Sequence, residues 1–264
     1  MKWIFVKKKF IRSAKLSELL HCSTSSIRRA LIRLENKNLI VRMHGGVSLV
    51  QDSNVEFAYT YREETNITKK REIVQIAQEF IGTGMCLFLD SSSTVQQLIP
   101  FLIKIPNLVI ITNSLKTASL LSESNNESLK VFIVGGEIKM NTNSVIPSNQ
   151  DPIFDSFRYD LAFFSCRGID EEGIYEANFS QANLKKEMMH RAKQKNLLVD
   201  DSKFGSTHFF KIGNYSDYDA IITNQEPDAI YATLIEQSGS ECCFPLEIKK
   251  TRSALWGRSC LVAN

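Results

Sequence analysis

The sequence predicts an α/β protein in two parts, a small N-terminal winged helix-turn-helix unit followed by a larger domain built on a mostly parallel sheet. Three observations carry this expectation. Residues 11–50 hold two short helical patterns and then two strand-like runs about a Gly-Gly turn. From residue 85 onward, short apolar runs alternate with helical patterns, and each run ends in small polar residues. Charge is divided the same way: residues 1–50 carry eleven Lys and Arg against two acids, a net +9, so the +3 of the whole 264-residue chain leaves −6 for the remainder.

Leu16, Leu19 and Leu20 are spaced as one face of a short helix that ends at His21-Cys22. Ser23 is placed as the N-cap of a second helix from about Thr24 to Glu35. Ile27, Leu31 and Leu34 form its core stripe. Its other side carries Thr24, Ser25, Arg28, Arg29 and Arg33, the polar and cationic surface that a recognition helix offers to a major groove. Thr24, Ser25 and Arg28 are positioned for base edges, Arg29 and Arg33 for phosphates. Leu39 to Met43 and Val47 to Val50 are strand-like runs about His44-Gly45-Gly46, whose glycines tolerate positive φ. That hairpin is the wing, with Arg42 and His44 near its tip. An ordinary amphipathic helix pair with a solvated basic face shares this pattern. The charge asymmetry favours a head drawn to the phosphates of double-stranded DNA, with affinity that falls as salt rises.

The composition, 43% hydrophobic, suffices for a sizeable core. No apolar run is long enough to span a bilayer, Trp3 to Val6 is too brief, and no cleavable leader is evident, so the expected location is the cytoplasm with no membrane partner. Cys22, Cys86, Cys166, Cys242, Cys243 and Cys260 form no C-x-x-C pair, and His21, His44, His190 and His208 lack ligand spacing. Neither a metal nor a cofactor is expected.

Residues 1–50 thus read as the DNA-binding domain and 51–68, polar and containing Arg62-Glu63-Glu64, as a linker. Residues 69–238 read as the α/β domain, and 239–264 as a tail of unassigned role that includes Cys242-Cys243 and Trp256. Ile73, Ile76, Ala77, Phe80 and Ile81 mark an amphipathic helix closed by Gly82-Thr83-Gly84. Met85 to Leu89 runs into Asp90-Ser91-Ser92-Ser93-Thr94 and a helix from Val95. Leu108 to Ile111 runs into Thr112-Asn113-Ser114 and a helix through Leu121. Val131 to Val134 runs into Gly135-Gly136-Glu137, and Leu161 to Phe164 leads to Ser165 and Gly168. A helix from about Ala182 to Lys195 precedes Leu197 to Val199, which closes on Asp200 to Gly205, and Tyr218 to Ile222 ends at Thr223-Asn224. Strands and helices alternating at this length imply a sheet covered on both faces.

In an open α/β sheet, ligands gather beyond the carboxyl ends of the strands, and here those ends carry Asp, Ser, Thr, Asn and Gly. Ser91 to Thr94 open a helix, so their hydroxyls and backbone N–H groups suit a phosphate. Lys185 and Lys203 add positive charge, while Asp90, Asn113 and Glu137 accept hydrogen bonds from hydroxyls. The combination suits a small phosphorylated polyol or sugar.

With these residues the chain resembles the DeoR family of bacterial transcriptional regulators from about Ile11 to Asn224. The head matches in Ile27-Arg28-Arg29 through Leu34 and in Leu39 to Val47, with its Arg-x-His-Gly-Gly wing. The body matches in Leu89-Asp90-Ser91 with Thr94, Thr112-Asn113-Ser114, Gly135-Gly136-Glu137, Ser165 with Gly168-Ile169, Glu172-Gly173, Lys185, and Asp200 with Ser202 to Gly205. The resemblance implies a repressor of a carbohydrate-utilisation operon, with a body similar to sugar-phosphate isomerases that works as a phosphosugar sensor. It also implies that Asp90 to Thr94, Thr112-Asn113, Gly135-Gly136, Lys185 and Lys203 line the effector pocket.

Departures from the family pattern are Ala30 in place of an acid after the paired arginines, and Ser92 in place of a glycine in the Asp90 loop. Gln181 replaces a glutamate four residues before Lys185, so the charge expected to tune that lysine is missing. Only Met1 to Lys9 remain for a first helix. Two function classes follow: a repressor whose heads occupy half-sites about 34 Å apart, hence a homodimer or homotetramer, or a sugar-phosphate isomerase or deaminase with a DNA-binding appendage. For the second, carboxylates are available but no spacing marks a base beside a substrate carbon, so the chain is not expected to be an enzyme.

Overall fold

The computed structural model describes residues 11–35, 40–43, 46–49, 59–140, 142–147 and 156–245, and the chain divides into two compact units, 1–56 and 57–264. Met1 to Lys9, His44, Trp256 and Cys260 lie outside the described residues.

The first unit runs β1 (Ile11–Arg12), α1 (Ser13–Leu20), α2 (Thr24–Glu35), β2 (Ile40–Met43) and β3 (Gly46–Leu49). Its sheet has the order β1-β3-β2, all antiparallel, with Ile11 opposite Val47 and Met43 opposite Gly46. Met43 pairs with Gly46, so Gly46, read from the sequence as part of the turn, is already strand. α1 ends at His21 in the left-handed region (φ 47°), where its N–H and that of Cys22 take the last carbonyls of the helix. Ser23 caps α2 as its sequence predicts, its Oγ accepting from Ser26 N at 3.2 Å. Ile11, Leu16, Ile27, Leu31, Ile40 and Val47 form the core, with Leu20 and Leu34 packed against it. Leu19, placed on that face by spacing, is instead 50% exposed. A two-turn helix facing one partner buries only the centre of its stripe, which here falls on Leu16 and Leu20.

The second unit begins with α3 (Tyr59–Glu64) and α4 (Ile67–Ala77), which continues as a 3₁₀ turn to Phe80. Residues 51–68 are therefore not all connector: Tyr59 is buried and its hydroxyl donates to Gln96, and Glu63 pairs with Lys116 at 2.5 Å. Then follow β4 (Cys86–Leu89), α5 (Ile99–Leu102), β5 (Val109–Thr112), α6 (Leu115–Ser122), β6 (Lys130–Ile133), β7 (Glu137–Lys139), β8 (Ser144–Ile146) and β9 (Tyr159–Phe164). β10 (Gly168–Asp170), β11 (Gly173–Glu176), α7 (Phe179–Arg191), β12 (Ala192–Leu198), β13 (Phe210–Gly213), β14 (Ala220–Ile222), α8 (Ala229–Gln237) and β15 (Glu241–Cys243) complete it.

Seven strands form the main sheet in the order β15-β14-β12-β9-β4-β5-β6, and every pair in it is parallel. Successive residues alternate between two cores. Leu87, Leu89, Ile110, Leu161, Phe163, Leu198 and Ile222 pack on one face; Phe88, Ile111, Ala162, Phe164, Leu197, Val199 and Ile221 pack on the other. This is the two-sided cover that the uninterrupted apolar runs imply.

Several elements differ from expectation. Residues 192–195 continue no helix: α7 starts early, at Phe179, because Asn178 accepts from Gln181 N at 3.2 Å, and it stops at Arg191. Ala192 to Lys195 then pair with β9, although Lys-Gln-Lys favours helix locally; the ladder bonds of the parallel sheet override that preference. Glu241–Cys243, placed in the tail, is the edge strand of the sheet beside β14. The small antiparallel sheet β10-β11-β13 and the β7-β8 hairpin were not legible as separate elements.

Candidate functional site

On the first unit, Thr24, Ser25, Arg28, Arg29 and Arg33 are all exposed on α2, with Ser25, Arg29 and Arg33 on the side away from the buried Ile27 and Leu31 and Thr24 and Arg28 flanking it. The short hydroxyls and the guanidiniums thus cover the solvent-exposed side of the helix from its first turn to Arg33. Ser23 Oγ lies 2.9 Å from Ser25 Oγ and 3.0 Å from Ser26 Oγ, so part of the hydroxyl row is tied into the cap. Arg42 sits within β2 and approaches Glu35 at 3.6 Å, both more than a third exposed, a contact worth little that leaves the arginine near the wing. His44, the other wing residue, lies outside the described residues.

On the second unit, parallel alignment brings the ends of β4, β5, β9, β12 and β14 to one edge, so Asp90, Asn113, Ser165, Asp200 and Thr223 share a rim. Asp90 organises it. One carboxylate oxygen accepts from Ser92 N at 2.8 Å and the other from Ser165 N at 2.9 Å, joining two neighbouring strands. The same residue lies 3.1 Å from Lys185 Nζ, which also donates to Glu176 at 2.8 Å and to the Ser165 carbonyl at 2.5 Å. Burial alone would lower the Lys185 pKa; Asp90 and Glu176 raise it above the ordinary lysine value instead. Lys185 is therefore not an uncommitted positive charge but the centre of a buried triad. Nor is its tuning charge missing, as Gln181 implied: Glu176, delivered by β11, supplies it, while Gln181 turns its amide to Ser144 Oγ at 2.7 Å.

The remaining rim residues sort into structural and available groups. Thr112 is fully buried; its hydroxyl donates to Leu89 O at 2.7 Å and accepts from Ser114 N at 3.1 Å, so it shapes the loop rather than presenting a hydroxyl. Asn113, 1% exposed, donates to Ser91 Oγ and to Val145 O at 3.3 Å each, and its Oδ1 is buried with no hydrogen-bond donor. Such an acceptor is costly to leave unmet, and Thr223 Oγ1 at the end of β14 is buried without a partner as well. Ser91, Ser93 and Thr94 are buried, and Ser92 Oγ accepts from Val95 N at 3.2 Å. The helix that follows is a 3₁₀ turn and a single α-turn with Pro100 at its start, shorter than the apolar pattern suggests.

Gly136 (φ 148°) lies where a Cβ would sit 2.2 Å from Ile146 O, and Gly168 where it would sit 2.1 Å from Ser206 O, so both admit only hydrogen at close backbone approaches. Gly135 and Gly136 are exposed, as is Glu137 at the start of β7.

Beyond β12, Asp200 is 1% exposed and accepts from Ser202 N and Asn66 Nδ2 at 3.1 Å each. Burial pushes its pKa up, but Lys203 and the hydrogen bonds hold it below the usual range. Burial lowers the Lys203 pKa, opposed by Asp200 and reinforced by Arg167 and Arg62. Lys70 on α4, 4% exposed, is pushed down to about 8 by burial first and by Lys203 next. Sequence reasoning missed Lys70, Arg62 and Glu176. Lys70 stands in a Lys-Lys-Arg-Glu run that looks like a solvated helix face, yet the Ile73-Val74-Ala77 core stripe turns it inward.

Lysines held partly against their own charge, buried hydroxyls and an unmet acceptor together form a rim suited to an anion carrying hydroxyl groups. Among the described residues no group of three His, Cys, Asp or Glu could hold a metal, and no helix is long and apolar enough to cross a membrane.

Comparison with known proteins agrees with this division. The DeoR-like helix-turn-helix domain matches residues 4–53 and the DeoR C terminal sensor domain matches residues 65–225. The chain is 32% identical over 86% of its length, and 87% of the relative's, to an HTH-type transcriptional regulator, YulB, of Bacillus subtilis. It is 30% identical to the HTH-type transcriptional repressor GlcR of the same organism, over 88% of each chain. It is also 30% identical to the glycerol-3-phosphate regulon repressor of Escherichia coli, over 83% of this chain and 86% of that one. A D-ribose-5-phosphate isomerase in complex with phospho-erythronic acid is 18% identical, with a TM-score of 0.38 over 51% of this chain and 52% of its own, too distant to bear on chemistry. With a DNA-binding head and a sensor domain both matched along their length, the chain belongs to the DeoR family of transcriptional regulators.

Proposed function

We propose that this regulator is a repressor of a carbohydrate-utilisation operon, that it occupies operator DNA in the cytoplasm as a homodimer or homotetramer, and that a phosphorylated sugar bound at the strand-end rim relieves it. The observation that carries the effector half is the pairing of opposite requirements on one edge: lysines and hydroxyls for a phosphoryl group, and the unmet Asn113 Oδ1 for a sugar hydroxyl. Asp90 and Asp200 hold the loops, Ser91 to Thr94 with Lys203 face the anion, and Gly135, Gly136, Glu137 and Gly168 form the surrounding walls. Operator recognition falls to Thr24, Ser25, Arg28, Arg29 and Arg33, with Arg42 and His44 on the wing.

Moving the protein from mostly bound to mostly released takes about 5.5 kcal/mol of differential affinity, within reach of a desolvated, charge-paired phosphate. The test is a thermal-shift and operator-release series against sugar phosphates and their unphosphorylated parents. A ligand at a hundred times its dissociation constant stabilises the folded state by about 2.7 kcal/mol. Release from DNA by a phosphorylated sugar, with none by its parent, is expected. Equal response to both, or to neither, overturns the proposal.

A further inference from the structure

Lys70 and Ser93 converge on one backbone carbonyl. Lys70 Nζ donates to Arg62 O and lies 3.0 Å from Ser93 Oγ; Ser93 Oγ donates to the same Arg62 O at 3.1 Å. Lys70 is 4% and Ser93 5% exposed, and the hydrogen bonds of the ammonium go to two neutral oxygens. Asp200 and Glu63 favour its charge, but burial first, with Lys203 and Arg62 beside it, outweighs them, so a buried cation hydrogen-bonded to neutral oxygens is left under-compensated. The carbonyl it holds belongs to α3, the segment that follows directly on the unit ending at residue 56. α3 has further ties to the same rim: the Tyr59 hydroxyl donates to Gln96, and Glu63 accepts from Gln96 at 3.3 Å and from Lys116 at 2.5 Å.

We infer that Lys70 is the receptor for the effector's phosphoryl group and, without effector, the latch that pins α3 to the rim through the Arg62 carbonyl. The inference rests on the phosphate-sensing reading above and adds to it the residue that converts occupancy into movement. A phosphoryl oxygen is a stronger acceptor than a peptide carbonyl and supplies the missing charge, so Lys70 and Ser93 turn to it and release Arg62. Occupancy thereby loosens α3, the first helix described in the second unit. The mechanism needs only competition between two acceptors for the same two donors.

The Arg62–Glu63 peptide bond is itself a trypsin site, so cleavage there reads the latch. Full-length protein is digested with inorganic phosphate or with chloride at matched ionic strength, and phosphate binding is titrated separately. In the wild-type chain phosphate is expected to speed cleavage after Arg62 by about tenfold, the scale of one or two lost hydrogen bonds. Lys70→Met is expected to be cleaved quickly without phosphate and to bind phosphate at least about tenfold more weakly, as for loss of a charge-assisted bond. Ser93→Ala, which keeps the lysine, is expected to raise basal cleavage by less and to retain the phosphate response; it decides the matter should Lys70→Met fail to fold. Phosphate that binds wild-type protein without changing cleavage at Arg62 overturns the latch while leaving the sensor reading intact. A folded Lys70→Met variant that binds phosphate normally overturns the receptor role, and a wild-type chain that binds neither phosphate nor any sugar phosphate of the series above overturns both readings together.

Discussion

Lys185→Met tests whether the rim is built around a buried ionic triad. In the native chain Lys185 is 6% exposed, with Asp90 (2%) at 3.1 Å and Glu176 (10%) at 2.8 Å. Removing the lysine leaves two desolvated carboxylates facing an apolar side chain, and breaking a buried pair in this way costs about 3 to 5 kcal/mol. Glu176→Gln is milder, because Lys185 keeps Asp90 and the Ser165 carbonyl; loss of one hydrogen bond to a charged group costs about 2 kcal/mol. For a domain of this size each kcal/mol shifts the midpoint by about 2 to 4 °C, so Lys185→Met is expected to melt roughly 6 to 20 °C lower. The double variant carries one stranded carboxylate fewer than Lys185→Met alone. It is therefore expected to lie closer to wild type than the summed single effects, by at least about 1 kcal/mol. Urea unfolding followed by circular dichroism measures all three. A Lys185→Met chain within about 0.5 kcal/mol of wild type, or strictly additive effects, refutes the triad.

Arg28→Ala is expected to weaken operator binding by about 1 to 3 kcal/mol and to relax base preference, read by titration against operator and scrambled duplexes; unchanged preference removes Arg28 from the base edges. Acid is expected to destabilise the sensor domain through Glu176 and Asp200, whose folded pKa values lie below their ordinary 4.5 and 3.8. For groups depressed on folding, the stabilisation is complete above those ordinary values and is lost as pH falls through the lower folded ones. Melting curves from pH 7 to 3 should show this, and Glu176→Gln should flatten the decline. Gly168→Ala places a methyl 2.1 Å from Ser206 O and is expected to cost about 1 to 3 kcal/mol by forcing β10 off the 203–206 loop, measured by thermal unfolding; a neutral effect would mean that loop yields freely.

What the sequence disclosed follows from the range of the interactions. α2 and its cap were legible because Ser23 and the Ile27-Leu31-Leu34 stripe act within a few residues. The strand-end loops were legible for a related reason: a buried parallel strand reads as a continuous apolar run, so its polar terminus stands out at Asp90, Asn113 and Asp200. Glu176 was hidden because it reaches Lys185 only through the antiparallel β11, an element too short and mixed to register as a strand. Lys70 was hidden because its local sequence is that of a solvated surface. Residues 192–195 misled because their helix propensity is real and is overruled only by the ladder with β9. The wing residue His44 and the stretch before α3 fall outside the described residues.

The rim is stitched from distant stretches of chain: Asp90 to Ser165, Asn66 to Asp200, Asp201 to Asn224. These ties join residues 75, 134 and 23 positions apart, so the loops share one another's restraints. Severing one, as Asn66→Ala does to the tie with Asp200, is expected to speed amide exchange in the partner loop as well as at the mutated site.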